Sequence, residues 1–207
     1  MRLGLKALIE SESGFIICGE IGRAQGALEA LQATQPDVIV LDLKLPDRHG
    51  LELIKDLRAA DVKIPILVIS SWDERLYAKR VLKAEANGYI MKDEALDLVI
   101  EGLQRVLTGN VYLTPSMTQY QVNTLSRATA AESIDLLTDR ELEVLELIGH
   151  GKSTQSISNL LKISSKTVDA HRANIKVKLG INDLNALIRF AVQLVENGEV
   201  GGESAVL

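Results

Sequence analysis

The chain has 207 residues, a formal net charge of −5, 46% hydrophobic residues and 25% charged residues. That size holds one large or two small domains, and the balance is that of an ordinary soluble globular protein, which excludes a disordered or collagenous chain. Aromatic residues at 3% make the cores aliphatic, and a single cysteine, Cys18, excludes an internal disulfide and a thiolate metal centre.

No apolar run reaches the roughly 18–20 residues of a membrane span. No charged-then-apolar leader with a cleavage site opens the chain, so a cytoplasmic location is expected. In chain order, Leu3 to Glu12 is predicted as a helix with Leu5, Leu8 and Ile9 on one face. Phe15 to Cys18 is a short apolar run and reads as a strand, with Cys18 a small buried residue. Ala24 to Thr34 is helical, with Ala27, Leu28 and Leu31 inward. Asp37 to Leu41 (DVIVL) is a β-branched run suited to a strand buried on both faces. Leu51 to Ala60 is a helix, and Ile64 to Ile69 (IPILVI) is a second buried strand, with Pro65 near its start where a missing N–H does least harm. Arg75 to Glu85 is a helix, Gly88 to Met91 a strand and Glu94 to Thr108 a helix. Strands alternating with helices of about ten residues imply a parallel sheet covered on both faces.

Beyond that point the periodicity fades. Residues 1–107 are read as one domain, 108–136 as a Thr-, Ser-, Gln- and Ala-rich connection with a helical middle, 137–197 as a second domain and 198–207 as a tail. Asp139 to Ile148, Thr154 to Leu161, Ser165 to Leu179 and Asp183 to Glu196 are four helices. Thr138 followed by Glu141 makes a capping box. Ser153 or Thr154, and Ser164 or Ser165, cap the next two helices.

The charge is uneven. Met1 to Leu107 holds 14 basic and 17 acidic residues, whereas Lys152 to Lys178 holds six Lys and Arg against Asp169 alone. Phosphate attraction is screened within about 10 Å at ordinary salt, so a local basic patch outweighs the total charge for a nucleic-acid partner. Ser165 to Leu179 has two faces. Val168, Ile175 and Leu179 share one side, and Lys166, Asp169, Ala170, Ala173 and Asn174 lie on the other. Ala170 and Ala173 allow close approach to base edges, and their methyls can touch thymine methyls. Lys166 and Asn174 have base-reading geometry, and Asp169 can accept from a cytosine amino group. Thr167, His171, Arg172 and Lys176 flank this face toward phosphates, as do the N–H groups near Ser153 and Thr154. Two short helices around a polar turn, the second bearing this face, have the shape of a helix-turn-helix.

The run Leu137-Thr138-x-Arg140-Glu141-x-Glu143-Val144-Leu145, then Gly149, then Thr167-Val168-x-x-His171, then Lys178-Leu179-Gly180, resembles the LuxR/NarL-type four-helix DNA-binding domain over about sixty residues. The resemblance implies that the third helix enters the major groove and that the fourth pairs two copies. Leu184, Leu187, Ile188 and Ala191 on that fourth helix can serve either the pairing or the domain's own core.

In the first half, Asp42, Ser70 and Lys92 all fall at the carboxyl ends of strands, where open α/β sheets meet ligands. A carboxylate, a hydroxyl and an ammonium together suit phosphoryl transfer, with Asp42 as nucleophile. From about residue 2 to Thr108 the chain resembles the receiver domain of bacterial response regulators. The resemblance places Asp42 as phosphoacceptor, Ser70 and Lys92 as phosphate support and Tyr89 as the aromatic switch. It puts the transmitting surface between Ala78 and Arg105. It implies a flavodoxin-like fold, a sensor histidine kinase as phosphodonor, Mg²⁺ at Asp42 and a homodimer. The whole chain is similar to a NarL/FixJ-type response regulator, a DNA-binding transcription regulator.

One departure stands out. The family begins with a strand ending in an acidic pair, and Met1-Arg2-Leu3-Gly4-Leu5 already reads as the following helix. Without that strand two backbone ladders lack a partner, and Mg²⁺ keeps Asp42 alone. Three explanations stay open: Met1 is an internal methionine of a longer protein, the gap is repaired by a partner or by rearranged strands, or the receiver is a dimerisation module without phosphorylation. An interaction protein that pairs with a full-length relative and sequesters it is the alternative to a regulator. An autonomous enzyme is not expected, because His49, His150 and His171 are scattered and no Cys–His or Ser–His–Asp pattern occurs. His49 is expected as a solvated loop residue.

Overall fold

The computed structural model describes residues 2–124 and 134–197, in two compact units divided near Gln121. The first unit carries α1 (Arg2–Ser11), α2 (Ala27–Thr34), β1 (Ile39–Leu41), α3 (Gly50–Ala59), β2 (Ile66–Ser70), α4 (Glu74–Lys83), β3 (Gly88–Met91) and α5 (Ala95–Leu107), followed by α6 (Pro115–Thr124). The second carries α7 (Asp139–Gly149), α8 (Thr154–Leu161), α9 (Ser165–Leu179) and α10 (Leu184–Asn197).

The sheet is parallel, in the order β1-β2-β3. Ile39 stands opposite Ile66, Leu41 opposite Val68, Val68 opposite Tyr89 and Ser70 opposite Met91. Every residue of β2 is buried, as its unbroken apolar run requires of a central strand. Alternation sends Leu67 and Ile69 to one face, where Ile9, Ile90, Val99, Leu103 and Tyr112 complete a core with α1 and α5. Ile66, Val68 and Ser70 then point to the opposite face. Tyr112 extends the sheet past β3: its N–H donates to Asn87 O, and its carbonyl accepts from Tyr89 N.

Phe15 to Cys18 is not a strand. Phe15 and Ile17 pack on the core while Ile16 is 88% exposed and Cys18 is exposed, so the segment keeps the side-chain alternation of a strand without a ladder. The reason is partnership: β1, an edge of the sheet, pairs only with β2 among the described residues. Cys18 is therefore a surface thiol and not a buried strand residue. α2 also begins later than its apolar pattern suggests. The N–H groups of Ala24 and Gln25 are taken by the Asp47 carboxylate at 3.0 and 2.9 Å, and Gly26 at φ +84° turns the chain into the helix.

The stretch expected to connect the domains from residue 108 starts inside the first unit. Tyr112, Thr114 and Met117 are buried there, and α6 follows. Residues 125–133 of that connection and the tail 198–207 lie outside the described residues.

In the second unit the expected caps form. Thr138 and Glu141 make a reciprocal capping box, Ser153 caps α8 and Ser164 caps α9. Leu142, Val144, Leu145, Ile157, Val168, Ile175, Leu187, Ala191 and Leu194 build the core. α7 and α10 meet at Gly149, where a Cβ would lie 2.3 Å from the carbonyl oxygen of Ala191.

Candidate functional site

In the first unit, β1 delivers Asp42, β2 ends on Ser70, and β3 runs into Lys92, whose N–H donates to the Ser70 carbonyl at 2.8 Å. Lys92 Nζ donates to Asp42 Oδ2 at 2.5 Å, and Lys44 N donates to Asp42 Oδ1 at 2.9 Å. Both partners keep about a third of their side-chain surface, 27% for Lys92 and 34% for Asp42, so the pair faces solvent at the sheet edge. Ser70 is fully buried, and its hydroxyl accepts from Trp72 N at 3.1 Å. Tyr89 is fully buried, and its hydroxyl donates to the Trp72 carbonyl at 2.7 Å. The loop after β2 is thus held at Trp72 from both Ser70 and Tyr89.

Two supports around this edge escape a reading of the sequence. Gly50 brings the start of α3 against the Asp42 loop, since a Cβ there would sit 2.6 Å from Leu43 Cα and 2.7 Å from Asp42 O. His49, expected in solvent, is 5% exposed. It caps α3 by accepting from Leu51 N, and its ring stacks on Tyr77, which stacks on Trp72 in turn. The row of rings ties the loop carrying Asp42 to the loop that follows Ser70.

Beyond Trp72 the chain reaches Glu74, a buried carboxylate. It accepts from the buried Thr114 hydroxyl at 2.6 and 2.8 Å and from Ser116 at 3.0 Å, which fastens the start of α6. Glu94 faces the same charge: burial, then Glu74 and Asp93, push its carboxyl above the ordinary range. Its Oε2 is buried with no hydrogen-bond partner among the described residues.

In the second unit, α9 lies with Val168 and Ile175 inward. Lys166, Thr167, Asp169, Ala170, Ala173 and Asn174 are exposed, and so is Val177, at 83%. His171, Arg172 and Lys176 are half-buried. Arg172 bridges the helix pair, its Nη1 donating to the Thr154 hydroxyl, so both residues brace α8 against α9. His171 is held below the usual histidine range by burial and then by Arg140, so its imidazole is neutral at neutral pH. Lys178 reaches back to Glu141 at 2.6 Å; with Thr138 it outweighs burial and lowers that carboxyl. Arg140 donates to the Leu161 carbonyl at 2.6 Å and fixes the turn before α9. Ser153 is exposed at the start of α8. On α10, Leu187 and Ala191 belong to the core, while Leu184 at 46% and Ile188 at 40% reach the surface.

Residues 1–104 match the response regulator receiver domain, and residues 135–191 match the bacterial regulatory proteins of the luxR family. The chain is 32% identical to the transcriptional regulatory protein DegU of Brevibacillus brevis, over 96% of this chain and 90% of that one. It is 34% identical to a nitrate/nitrite response regulator homolog of Haemophilus influenzae, over 88% of this chain and 86% of that one. This chain is a LuxR-type response regulator. Among solved structures, RcsB of Salmonella enterica serovar Typhimurium, bound to a promoter, shares the fold with a TM-score of 0.60 at 21% identity, covering 92% of each chain. A LuxR-family regulator of Aurantimonas is 28% identical over 57% of this chain and 84% of that one, with a TM-score of 0.54.

A response regulator of this kind pairs a receiver with a LuxR-type DNA-binding domain, and both are present. Receiver domains generally use Mg²⁺. Among the described residues no three His, Cys, Asp or Glu side chains come together to hold a metal, and Mg²⁺ demands near-octahedral oxygen ligation. Mg²⁺ is commonly held by one or two carboxylates, with waters and phosphate oxygens completing its shell. No helix among the described residues is long and apolar enough to cross a membrane.

Proposed function

We propose that phosphorylation of Asp42 by a sensor histidine kinase controls pairing of the C-terminal units of this regulator, and through it their grip on double-stranded DNA in the cytoplasm. The observation that carries this is the Lys92 ammonium seated on the Asp42 carboxylate at the open edge of the sheet. In the step, an Asp42 oxygen attacks phosphorus, an acyl phosphate forms, and the bond to the donor breaks. Lys92 offsets the negative charge added at Asp42. Ser70 and Tyr89 bear on the same loop through Trp72, so a change at the phosphoryl group reaches the α4 side of the unit.

DNA is read by α9. Lys166, Thr167, Asp169, Ala170, Ala173 and Asn174 form its exposed side, Lys176 flanks them, and Ser153 marks the helix start suited to a phosphate. His171, Arg172 and Thr154 act chiefly by holding that surface in shape. Leu184 and Ile188 supply the apolar contact for a homodimer, above Leu187 and Ala191.

The test treats the full chain and Asp42→Asn with acetyl phosphate, with and without Mg²⁺. The full chain should gain the mass of one phosphoryl group and shift toward dimer in sedimentation, and Asp42→Asn should do neither. Dimer formation without any mass gain would reject phosphorylation control.

A further inference from the structure

The outward strip of α9 is apolar through its middle, and this deepens the DNA-binding reading, on which it rests. At about 100° per residue, Lys166, Ala170, Ala173 and Val177 fall within roughly 60° of one another. They lie across the helix from Val168 and Ile175, which are fully buried. All four strip residues are exposed. A single exposed valine is ordinary on a protein surface. Val177 is different because it lies in line with two alanines, on the side of the helix that faces away from its own domain. Two cations that share the helix are engaged within the domain, Arg172 on Thr154 and Lys178 on Glu141, and Lys176 lies to the side of the strip. Lys166 alone puts a cation on the strip, at its N-terminal end.

A surface of methyl groups has one complement on the major-groove edges of a duplex. Guanine, cytosine and adenine present only donors and acceptors there, and thymine adds its C5-methyl. We propose that α9 selects its DNA by covering thymine methyl groups with Ala170, Ala173 and Val177, Val177 being a specificity-determining residue. Lys166 and Lys176 hold the helix in the groove without reading the bases beneath Val177. A polar side chain at 177 would add donors to any duplex and discriminate less.

The experiment selects duplexes with the full-length chain from a random library, then synthesises the tightest-bound one with thymine and with deoxyuridine, which removes only the C5-methyl groups. The uracil duplex should bind about fourfold more weakly for each methyl covered. Val177→Ala should shrink that thymine-to-uracil ratio while leaving affinity for an unselected duplex of equal length unchanged. Val177→Lys should tighten binding to both duplexes and shrink the ratio as Val177→Ala does. Equal binding of the thymine and uracil duplexes by the parent chain overturns the proposal and leaves DNA binding standing. An unchanged ratio in Val177→Ala also overturns it. So does a Val177→Ala chain whose only change is in self-association, which would make the strip a protein contact. Failure to enrich any duplex, even in dilute salt, removes the DNA-binding reading and this inference together.

Discussion

Gly149→Ala is a demanding test of the second unit. The added methyl would sit 2.3 Å from Ala191 O, 2.6 Å from Val195 Cγ2 and 2.8 Å from Ala191 C, where ordinary contact begins at 3.4 Å. Val195 can rotate aside, but the Ala191 carbonyl is helix backbone and cannot, so α10 must withdraw by about 1 Å. That withdrawal opens the packing of Leu187, Ala191 and Leu194, all fully buried. Alanine in a helix is favoured over glycine by about 1 kcal/mol, and overpacking costs about 1–3 kcal/mol. A backbone clash belongs at the top of that range or beyond it, so the net loss is about 2 kcal/mol. For a unit of this size that lowers the melting temperature by roughly 8–16 °C. The chain carries its own control: its single tryptophan, Trp72, lies in the first unit, and the second has neither Trp nor Tyr. Helical circular dichroism should show a transition moved down, while the Trp72 fluorescence transition stays in place. A circular-dichroism melt within about 2 °C of the parent would refute the close approach of α7 and α10.

Four further outcomes follow from the site. Gly50→Ala presses on Leu43 and Asp42, so phosphoryl uptake from acetyl phosphate, followed by mass, should slow by about tenfold or more; an unchanged rate would deny that α3 positions the loop. Thr114→Val leaves the buried Glu74 carboxylate with Ser116 as its remaining donor from the 114–116 turn and should cost the first unit about 1–3 kcal/mol in urea unfolding read at Trp72. Glu94 is held above its ordinary range, so the folded state keeps that proton more tightly than the unfolded chain. Stability then falls as pH rises from the ordinary carboxylate value through the raised one. Glu94→Gln should therefore raise the first unit's melting temperature at neutral pH, with the gain gone below about pH 4. Lys166→Ala should weaken DNA binding and reduce the salt slope by about 1 at unchanged stability, whereas Arg172→Ala should also lower the melting temperature of the second unit.

Local signals found most of the elements. Ile66–Ser70 and Gly88–Met91 are strands in continuous apolar runs, and the Thr138–Glu141 pair marks the start of α7 within one residue. The same apolar signal misleads at Phe15 to Cys18, because a ladder needs a neighbour and a neighbour is not a local property. Asp42, Ser70 and Lys92 were legible as strand ends, and the sheet brings Asp42 and Lys92 into contact. What could not be read were contacts across long separations: Thr114 on Glu74, His49 on Tyr77, Arg172 on Thr154. Arg172 shows the limit well. Its charge marks it for phosphate in the sequence, and its burial turns most of it to bracing. Gly50 and Gly149 are visible as glycines, but only the packed helices show what a side chain there would strike.

The flank of the sheet at Ile39–Leu41 bears on how this molecule behaves in a tube. Its middle residue, Val40, is 37% exposed, and no lysine, proline or bulge interrupts those three positions. Natural proteins usually guard such a border with charge, because its free amides and carbonyls invite a second molecule to zip alongside. Crowded samples should therefore stick to one another through this margin first, and a lysine placed at Val40 should keep them clear.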